Sequence, residues 1–231
     1  MSTQTVNRFE WKYLVSVKDY HLLRRLFGAV LSPDPHAGPS GTYPVRSLYF
    51  DTPDHAAYHT RNAGLAARRK IRLRLYDPDQ TWVKLECKEK RGNAQRKETC
   101  RISRDAARRL ICGDTGVFFD SGGSVLPDRL RHAFLSEPLV PVVMVEYDRD
   151  AYVLPAMDIR VNFDMRMRST ASSMEFFLKN PMYTPLSDRG DIVLEVKHGG
   201  MLPGFLRDIL SSSDSVRTSY SKYCMAREAA F

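Results

Sequence analysis

The residues with the most chemical potential in this chain form two short alternating runs. Lys70-Ile71-Arg72-Leu73-Arg74-Leu75-Tyr76 and Trp82-Val83-Lys84-Leu85-Glu86-Cys87-Lys88 carry a charge at almost every second position. Successive side chains of a strand point to opposite faces, so Lys70, Arg72, Arg74, Lys84, Glu86 and Lys88 share one face and the apolar residues the other. Five cations and one carboxylate on one face repel each other across neighbouring strands. Such a face makes physical sense when a polyanion, or acids from other strands, lies against it. Arginine offers a planar fork for bidentate contact with phosphate and lysine a movable point charge, so the chemistry in view is the holding of phosphate groups. No G-x-x-x-x-G-K-[ST] loop is present to do this with backbone amides, and Gly122-Gly123 and Gly199-Gly200 read as turns. His55 and His59, four apart, could share a helix face and ligate a metal, but no third ligand stands near them and a solvated or structural role is the better reading.

The elements that must position these runs follow from the same periodicity. Asp77-Pro78-Asp79-Gln80-Thr81 predicts a hairpin connection, which makes the two runs antiparallel neighbours. Residues 8–15 alternate again, charged at Arg8, Glu10 and Lys12 and aromatic at Phe9, Trp11 and Tyr13. Ser16 caps a helix expected through about residue 31, with Tyr20, Leu23, Phe27 and Val30 as its apolar stripe. Residues 32–44 hold four prolines and two glycines and read as loop. A strand is expected over 45–52, a short helix or turn over 53–62, and a strand of ambiguous face over 95–102. Ser103 caps a helix over 103–112 with Asp105 in its first turn, residues 113–127 are irregular, and 128–136 are helical. Strands follow over 141–149, 158–164 and 192–197, the last placing Val193, Glu195 and Lys197 on one parity. Residues 169–178 fit strand or helix equally, 180–191 read as loop, and helices are expected over 203–211 and 219–230.

Composition sets the outer bounds. With 231 residues and 43% hydrophobic content the chain can bury one large core, so a single domain over residues 1–231 is expected. A formal net charge of +8 points to an acidic partner such as nucleotide, polyphosphate, nucleic acid or anionic lipid. No run of ~18 apolar residues spans a membrane, and residues 1–8 lack the apolar stretch of a signal peptide. Cys87, Cys100, Cys112 and Cys224 show no C-x-x-C spacing, which argues for reduced thiols in a cytoplasmic protein. Seven or eight charged strands with a few helices then leave two architectures. One is a sheet whose basic face meets water; the other is a closed barrel with a charged lumen and helices outside, which removes edges and focuses cations on an enclosed anion.

The order of the motifs R-x-E-x-K-Y at 8–13, S-L-Y-F-D-T at 47–52, K-I-R-L-R-L-Y at 70–76, K-L-E-C-K at 84–88, E-Y-D-R at 146–149, L-E-V-K at 194–197 and Y-S-K-Y at 220–223 resembles the vacuolar transporter chaperone (VTC) polyphosphate polymerase domain. That family belongs to the triphosphate tunnel, or CYTH, superfamily. The resemblance implies an α+β fold, an antiparallel eight-stranded tunnel barrel with a basic lumen and helices packed outside. It implies an enzyme that moves the γ-phosphate of ATP onto inorganic polyphosphate with a divalent metal, Mn²⁺ or Mg²⁺. By motif, Lys12, Arg72, Arg74, Lys84, Lys88, Lys97, Arg149, Arg160, Lys197 and Lys222 would line the tunnel and hold phosphates, and Glu195 would hold metal. Glu10 and Glu86 match charged tunnel positions whose contact with metal the motif leaves open. Of these, Arg72, Arg74, Lys84, Lys88, Glu195 and Lys197 would serve the transfer itself. The wider superfamily starts its first strand Glu-x-Glu-x-Lys, and here the first position is Arg8. The missing carboxylate weakens a two-metal hydrolase or cyclase reading and favours the polymerase branch. The phosphate-sensing domain and membrane spans of eukaryotic polymerases are not expected here, so regulators or export partners would be other chains.

Phosphoryl transfer is carried by positioning and charge, so fixed cations with one metal suffice and no nucleophilic side chain or strong base is needed. Three other readings compete: a triphosphatase of the same fold, a purely structural ion network, and a non-catalytic module binding polyphosphate or nucleic acid. Nucleic acid is not expected, because single-strand binding wants aromatic platforms and Phe9, Trp11 and Tyr13 fall on the apolar parity.

Overall fold

Strand alternation governs the whole molecule. The computed structural model describes residues 2–5, 9–92, 94–119, 127–187 and 190–230. Its strands are β1 (Ser2–Thr5), β2 (Phe9–Val15), β3 (Ser32–Pro33), β4 (Thr42–Asp51), β5 (Ala67–Leu75), β6 (Trp82–Arg91), β7 (Ala94–Ser103), β8 (Val140–Leu154), β9 (Ile159–Thr170), β10 (Thr184–Pro185), β11 (Ile192–His198) and β12 (Val216–Arg217). All twelve join one sheet in the order β1-β7-β6-β5-β4-β8-β9-β11-β2-β12, with β10 on β9 and β3 on β8. Every pairing is antiparallel. Six α-helices accompany it among the described residues: α1 (Val17–Val30), α2 (Ala56–Asn62), α3 (Arg104–Ile111), α4 (Asp128–Ser136), α5 (Gly204–Ser211) and α6 (Lys222–Glu228). No helix among the described residues is long and apolar enough to cross a membrane.

Two apolar clusters cover the outer face. Ile71, Leu73 and Leu75 of β5 and Val83, Leu85 and Cys87 of β6 pack with Ala107 and Leu110 of α3 and Leu130 and Phe134 of α4. Val161 and Phe163 of β9 and Leu194 and Val196 of β11 pack with Leu23 and Phe27 of α1 and Leu206 of α5. Ser16 and Ser103 cap α1 and α3 as their sequences require, each hydroxyl accepting a backbone amide three residues on. A third cluster fills one end of the inner face, where Tyr223, Cys224 and Ala226 of α6 sit among Val45, Tyr49, Val143, Val145 and Val193. Helix α6 is therefore an internal plug, whereas the sequence led us to expect every helix outside.

A hydrogen-bonded barrel of eight strands is not formed. Eight long strands run from β7 to β2, but the path ends on β1 at one side and β12 at the other, with no ladder between them among the described residues. The reason lies in the edges: β1 takes the free edge of β7, and β12 takes the β2 edge at Tyr13 and Leu14. The sheet nonetheless curls until its ends approach. Thr5 ends β1 and Phe9 begins β2, and four residues of chain reach at most about 14 Å. Across the same opening Lys88 Nζ of β6 donates to Glu10 Oε2 of β2 at 2.9 Å.

Other departures are local. The loops expected over 32–44 and 180–191 contain the two-residue strands β3 and β10, and β4 starts at Thr42. Residues 169–170 finish β9 and 173–177 form a 3-10 turn, which settles that stretch. Arg8 and the Gly122-Gly123 pair lie outside the described residues.

Candidate functional site

The register of the curled sheet sets the charges of its inner face against each other. Arg72 faces Glu86 and Arg74 faces Lys84 across β5 and β6, and Lys88 faces Lys97 across β6 and β7. On the far wall Lys12 faces Glu195 and Glu10 faces Lys197 across β2 and β11, and Arg149 faces Asp164 across β8 and β9.

Two acidic nodes hold this face. Glu86 accepts from Arg72 Nε at 2.8 Å and Lys97 Nζ at 2.7 Å, with Arg74 Nη1 at 3.7 Å. Burial raises its carboxyl, but Arg74, Arg72 and Lys97 outweigh burial and hold it well below the usual carboxylate range. The second node pairs Asp164 with Glu195. Asp164, fully buried, accepts from Arg149 at 2.7 and 2.9 Å and forms a 2.6 Å ion pair with Lys222. Glu195 lies 3.2 Å from Lys12, 3.3 Å from Lys197, 3.4 Å from Lys222 and 3.9 Å from Arg149. Burial opposes its charge, yet Lys12, Lys222, Lys197 and Arg149 keep it ionised well below the ordinary value. Burial acts the other way on Lys197, lowering it to about 8 against the pull of Glu195 and Glu10.

Between the nodes lies a cavity of about 340 Å³. Arg72, Arg74, Lys84, Lys88, Arg96, Lys97, Arg149, Arg160 and Lys197 line it against only Glu10 and Glu86. Several of the cations lean on acids behind the wall: Arg160 on Asp34, Arg96 on Glu98, and Arg149 and Lys197 on the second node. Cations remain in excess even so. Lys84 has no carboxylate partner among the described residues and rests 4.8 Å from the Tyr76 ring centroid. Surplus buried charge is costly unless something anionic offsets it.

The expected residues therefore come together in one interior, though not in equal positions. Arg72, Arg74, Lys84, Lys88, Lys97, Arg149, Arg160 and Lys197 face the cavity, with Glu10 and Glu86. Lys12 lines a second cavity beside it. Glu195 and Lys222 stand behind the wall, 6% and 8% exposed. Asp164 was missed as a site residue, although its place opposite Ile159, Val161 and Phe163 carried the signal. Lys70, which shares the parity of Arg72, lines the second cavity and not the first. His55 lies against the Arg227 guanidinium at 3.2 Å, on the side of the molecule that α2 shares with α6.

Among the described residues no group of three or more His, Cys, Asp or Glu is arranged to hold a metal ion. Two carboxylates suit one in part. Glu10 and Glu195 share Lys12, 3.2 Å from each, and Glu195 has no partner nearer than 3.2 Å. Its four cation partners all stand farther off than the nearest ones of Glu86 or Asp164. Hard divalent cations choose carboxylate oxygen and complete their shell with phosphate and water. The donor set is thus compatible with such an ion arriving together with phosphate, and Glu86, closely bridged, is the poorer donor.

A curled antiparallel sheet with a cation-lined interior is the fold of the triphosphate tunnel proteins. The chain belongs to the VTC domain family, whose family model matches residues 7–231. Solved structures share the fold at low identity. A candidate adenylate cyclase from Bacillus halodurans has 16% identity and a TM-score of 0.57, with 96% of this chain and 97% of that chain covered. HpAC1 from Hippeastrum, a protein with dominant triphosphatase activity, has 12% identity, a TM-score of 0.55 and 96% and 95% coverage. The PH1819 protein of Pyrococcus horikoshii has 13% identity, a TM-score of 0.53 and 96% and 99% coverage. No curated protein matches the chain.

The two hairpin arginines predict different outcomes. Arg74 is held more loosely than Arg72, by Ser47 Oγ at 3.5 Å, Glu86 at 3.7 Å and the Tyr76 hydroxyl, so its fork can turn to a ligand without breaking a close ion pair. Arg74→Ala should weaken tripolyphosphate binding by about 1.5–3 kcal/mol, the scale for hydrogen bonds to charged groups, with little change in melting temperature. Arg72→Ala should lose similar affinity and lower the melting temperature as well, because Glu86 loses a close partner. Unchanged affinity in both variants would mean the cavity does not hold phosphate.

Proposed function

We propose that the protein is an ATP-dependent polyphosphate polymerase, transferring the γ-phosphoryl group of ATP to the end of an inorganic polyphosphate chain. The observation that carries this reading is the interior cavity whose cations outnumber its carboxylates, in a chain of the VTC domain family. The terminal oxygen of the acceptor attacks the γ-phosphorus, the bond from that phosphorus to the β–γ bridging oxygen breaks, and ADP leaves with the electron pair. The attacking oxygen is already anionic, so no side chain has to remove a proton from it.

The residues divide this work by position. Arg72 and Arg74 present forks to nonbridging oxygens, while Lys84, Lys88 and Lys97 offset the charge of the chain from the neighbouring strands. Arg149 and Lys197, fixed from behind by Asp164 and Glu195, give a rigid second wall that keeps donor and acceptor in line. Glu195 with Glu10 would hold a divalent ion, Mn²⁺ or Mg²⁺, which would supply charge neutralisation at the transferred phosphoryl group. No covalent enzyme intermediate is required.

Purified protein incubated with ATP and Mn²⁺ should form acid-labile polymer and ADP. Release of only orthophosphate or pyrophosphate from ATP and tripolyphosphate, with no polymer at any ATP concentration, would make it a triphosphatase of the same fold. Binding of polyphosphate without turnover would make it a non-catalytic module.

A further inference from the structure

A second cavity of about 460 Å³ adjoins the first. Glu10, Lys88 and Gln95 line both, so the two meet at the opening between β2 and β6. The floor of the second is Lys70. Its ammonium donates to Ser221 Oγ at 2.8 Å and lies 5.6 Å from the Tyr223 ring centroid. Among the described residues no carboxylate pairs with it.

The groups around Lys70 explain why that matters. From β2 come Lys12 and Glu10, and Glu10 is already held by Lys12 at 3.2 Å and Lys88 at 2.9 Å. From α2 comes Arg61, anchored on the Ser219 carbonyl at 2.5 Å. Lys70 has Arg68 and Arg72 beside it on β5, and Lys88 and Lys90 on β6. The segment leading into α6 adds Arg217 and Tyr220, and α6 itself adds Lys222, Tyr223 and Cys224. Of these Lys222 is committed to Asp164 and Glu195, and Arg217 stacks on Trp11. Among the described residues cations therefore dominate the lining, and Glu10, its one carboxylate, is already paired.

We propose that this second cavity is a proton-linked binding site for an inorganic phosphate chain, in which Lys70 takes up a proton as the anion enters. The inference rests on the reading of the first cavity as a phosphate site. Burial outweighs the opposing pull of Cys224 and, with Lys12, Arg61 and Arg72 adding to it, pushes the Lys70 ammonium down to about 7, so near neutral pH much of it is uncharged. A phosphate oxygen in the cavity supplies the missing counter-charge and favours the protonated form. Above pH about 7 binding then draws in a proton, and below it Lys70 is already charged and adds no linkage. Phosphate chains gain negative charge as pH rises, which pulls affinity the other way. Comparison with a permanently charged side chain removes that contribution.

Titration calorimetry with tripolyphosphate, without nucleotide, at pH 8 in two buffers of different ionisation enthalpy reads the proton directly. Wild type should take up about one proton more than Lys70→Arg, which is charged throughout, or Lys70→Met, which keeps the stem and cannot ionise. The affinity advantage of Lys70→Arg over wild type should grow with pH above 7, by up to about tenfold per unit. Lys70→Met should bind more weakly than wild type at pH 6 and approach it at pH 9. Equal proton uptake in wild type and both variants overturns the inference. If wild type makes polymer while uptake is equal in all three, only this inference fails. If uptake depends on Lys70 and no polymer forms, the polymerase reading alone is lost.

Discussion

Glu195→Gln is expected to lower turnover at least about a hundredfold while tripolyphosphate still binds. The size follows from mutations that remove one preorganised electrostatic group from a transition state, which cost roughly 10²–10³. Glutamine keeps the shape but offers a divalent ion a neutral oxygen. The structure adds a second expectation. Glu195 offsets Lys12, Lys197, Lys222 and Arg149, so in the variant Arg149 and Lys222 keep only Asp164, Lys12 keeps only Glu10, and Lys197 loses its ion pair. The ligand-free variant should melt below wild type, and tripolyphosphate should raise its melting temperature more than it raises that of wild type. Turnover per folded molecule, measured with saturating polyphosphate primer, separates the roles: near-normal turnover would leave Glu195 a purely structural acid.

Asp164→Asn should cost about 3–5 kcal/mol of folding stability, the range for breaking a buried ion pair from one side. Asp164 is fully buried, and its loss leaves Arg149 and Lys222 with only the longer contacts to Glu195, 3.9 and 3.4 Å. Burial raises its carboxyl, but Arg149 and Lys222 prevail and lower it. A group lowered on folding contributes stability that is present above its unfolded value, about 3.9, and is lost as pH falls through the folded value. The gap between wild type and variant should therefore be full at pH 7 and narrow in acid well below pH 4. Urea unfolding at both pH values checks it, and a gap under about 1 kcal/mol at pH 7 would mean that the pair contributes little.

Period-two alternation made much of this architecture readable. It set the inner parity of β5, β6 and β11 correctly, because each buries one face under helices and turns the other to the interior. The Ser16 and Ser103 caps fixed two helix starts by a local hydrogen bond that needs no tertiary knowledge. What alternation does not encode is where a sheet ends. The curl depends on which strand takes each edge, and β1 and β12 are too short to carry a pattern of their own. Helix α6 was legible as a helix but not as a plug, since amphipathicity gives an apolar stripe without saying which apolar surface meets it. Arg160 illustrates a similar limit: its parity placed it at the cavity, while its tie to Asp34 comes from a loop 126 residues away. The pairing of Asp164 with Glu195 needed the strand order, which puts β9 beside β11.

The position of Lys222 has a consequence for how the protein is made. The strand β2 is made before its partner β11, which follows roughly 180 residues later. At about 5–20 residues per second the first strand waits on the order of ten to forty seconds for its neighbour. Asp164 and Glu195 then both exist before Lys222, which bridges them, has been translated. The β2 edge therefore stays open until β11 is made, and Lys222 joins Arg149, Lys12 and Lys197 at the second node only after that edge has been taken, so the charge network is completed after the sheet it braces.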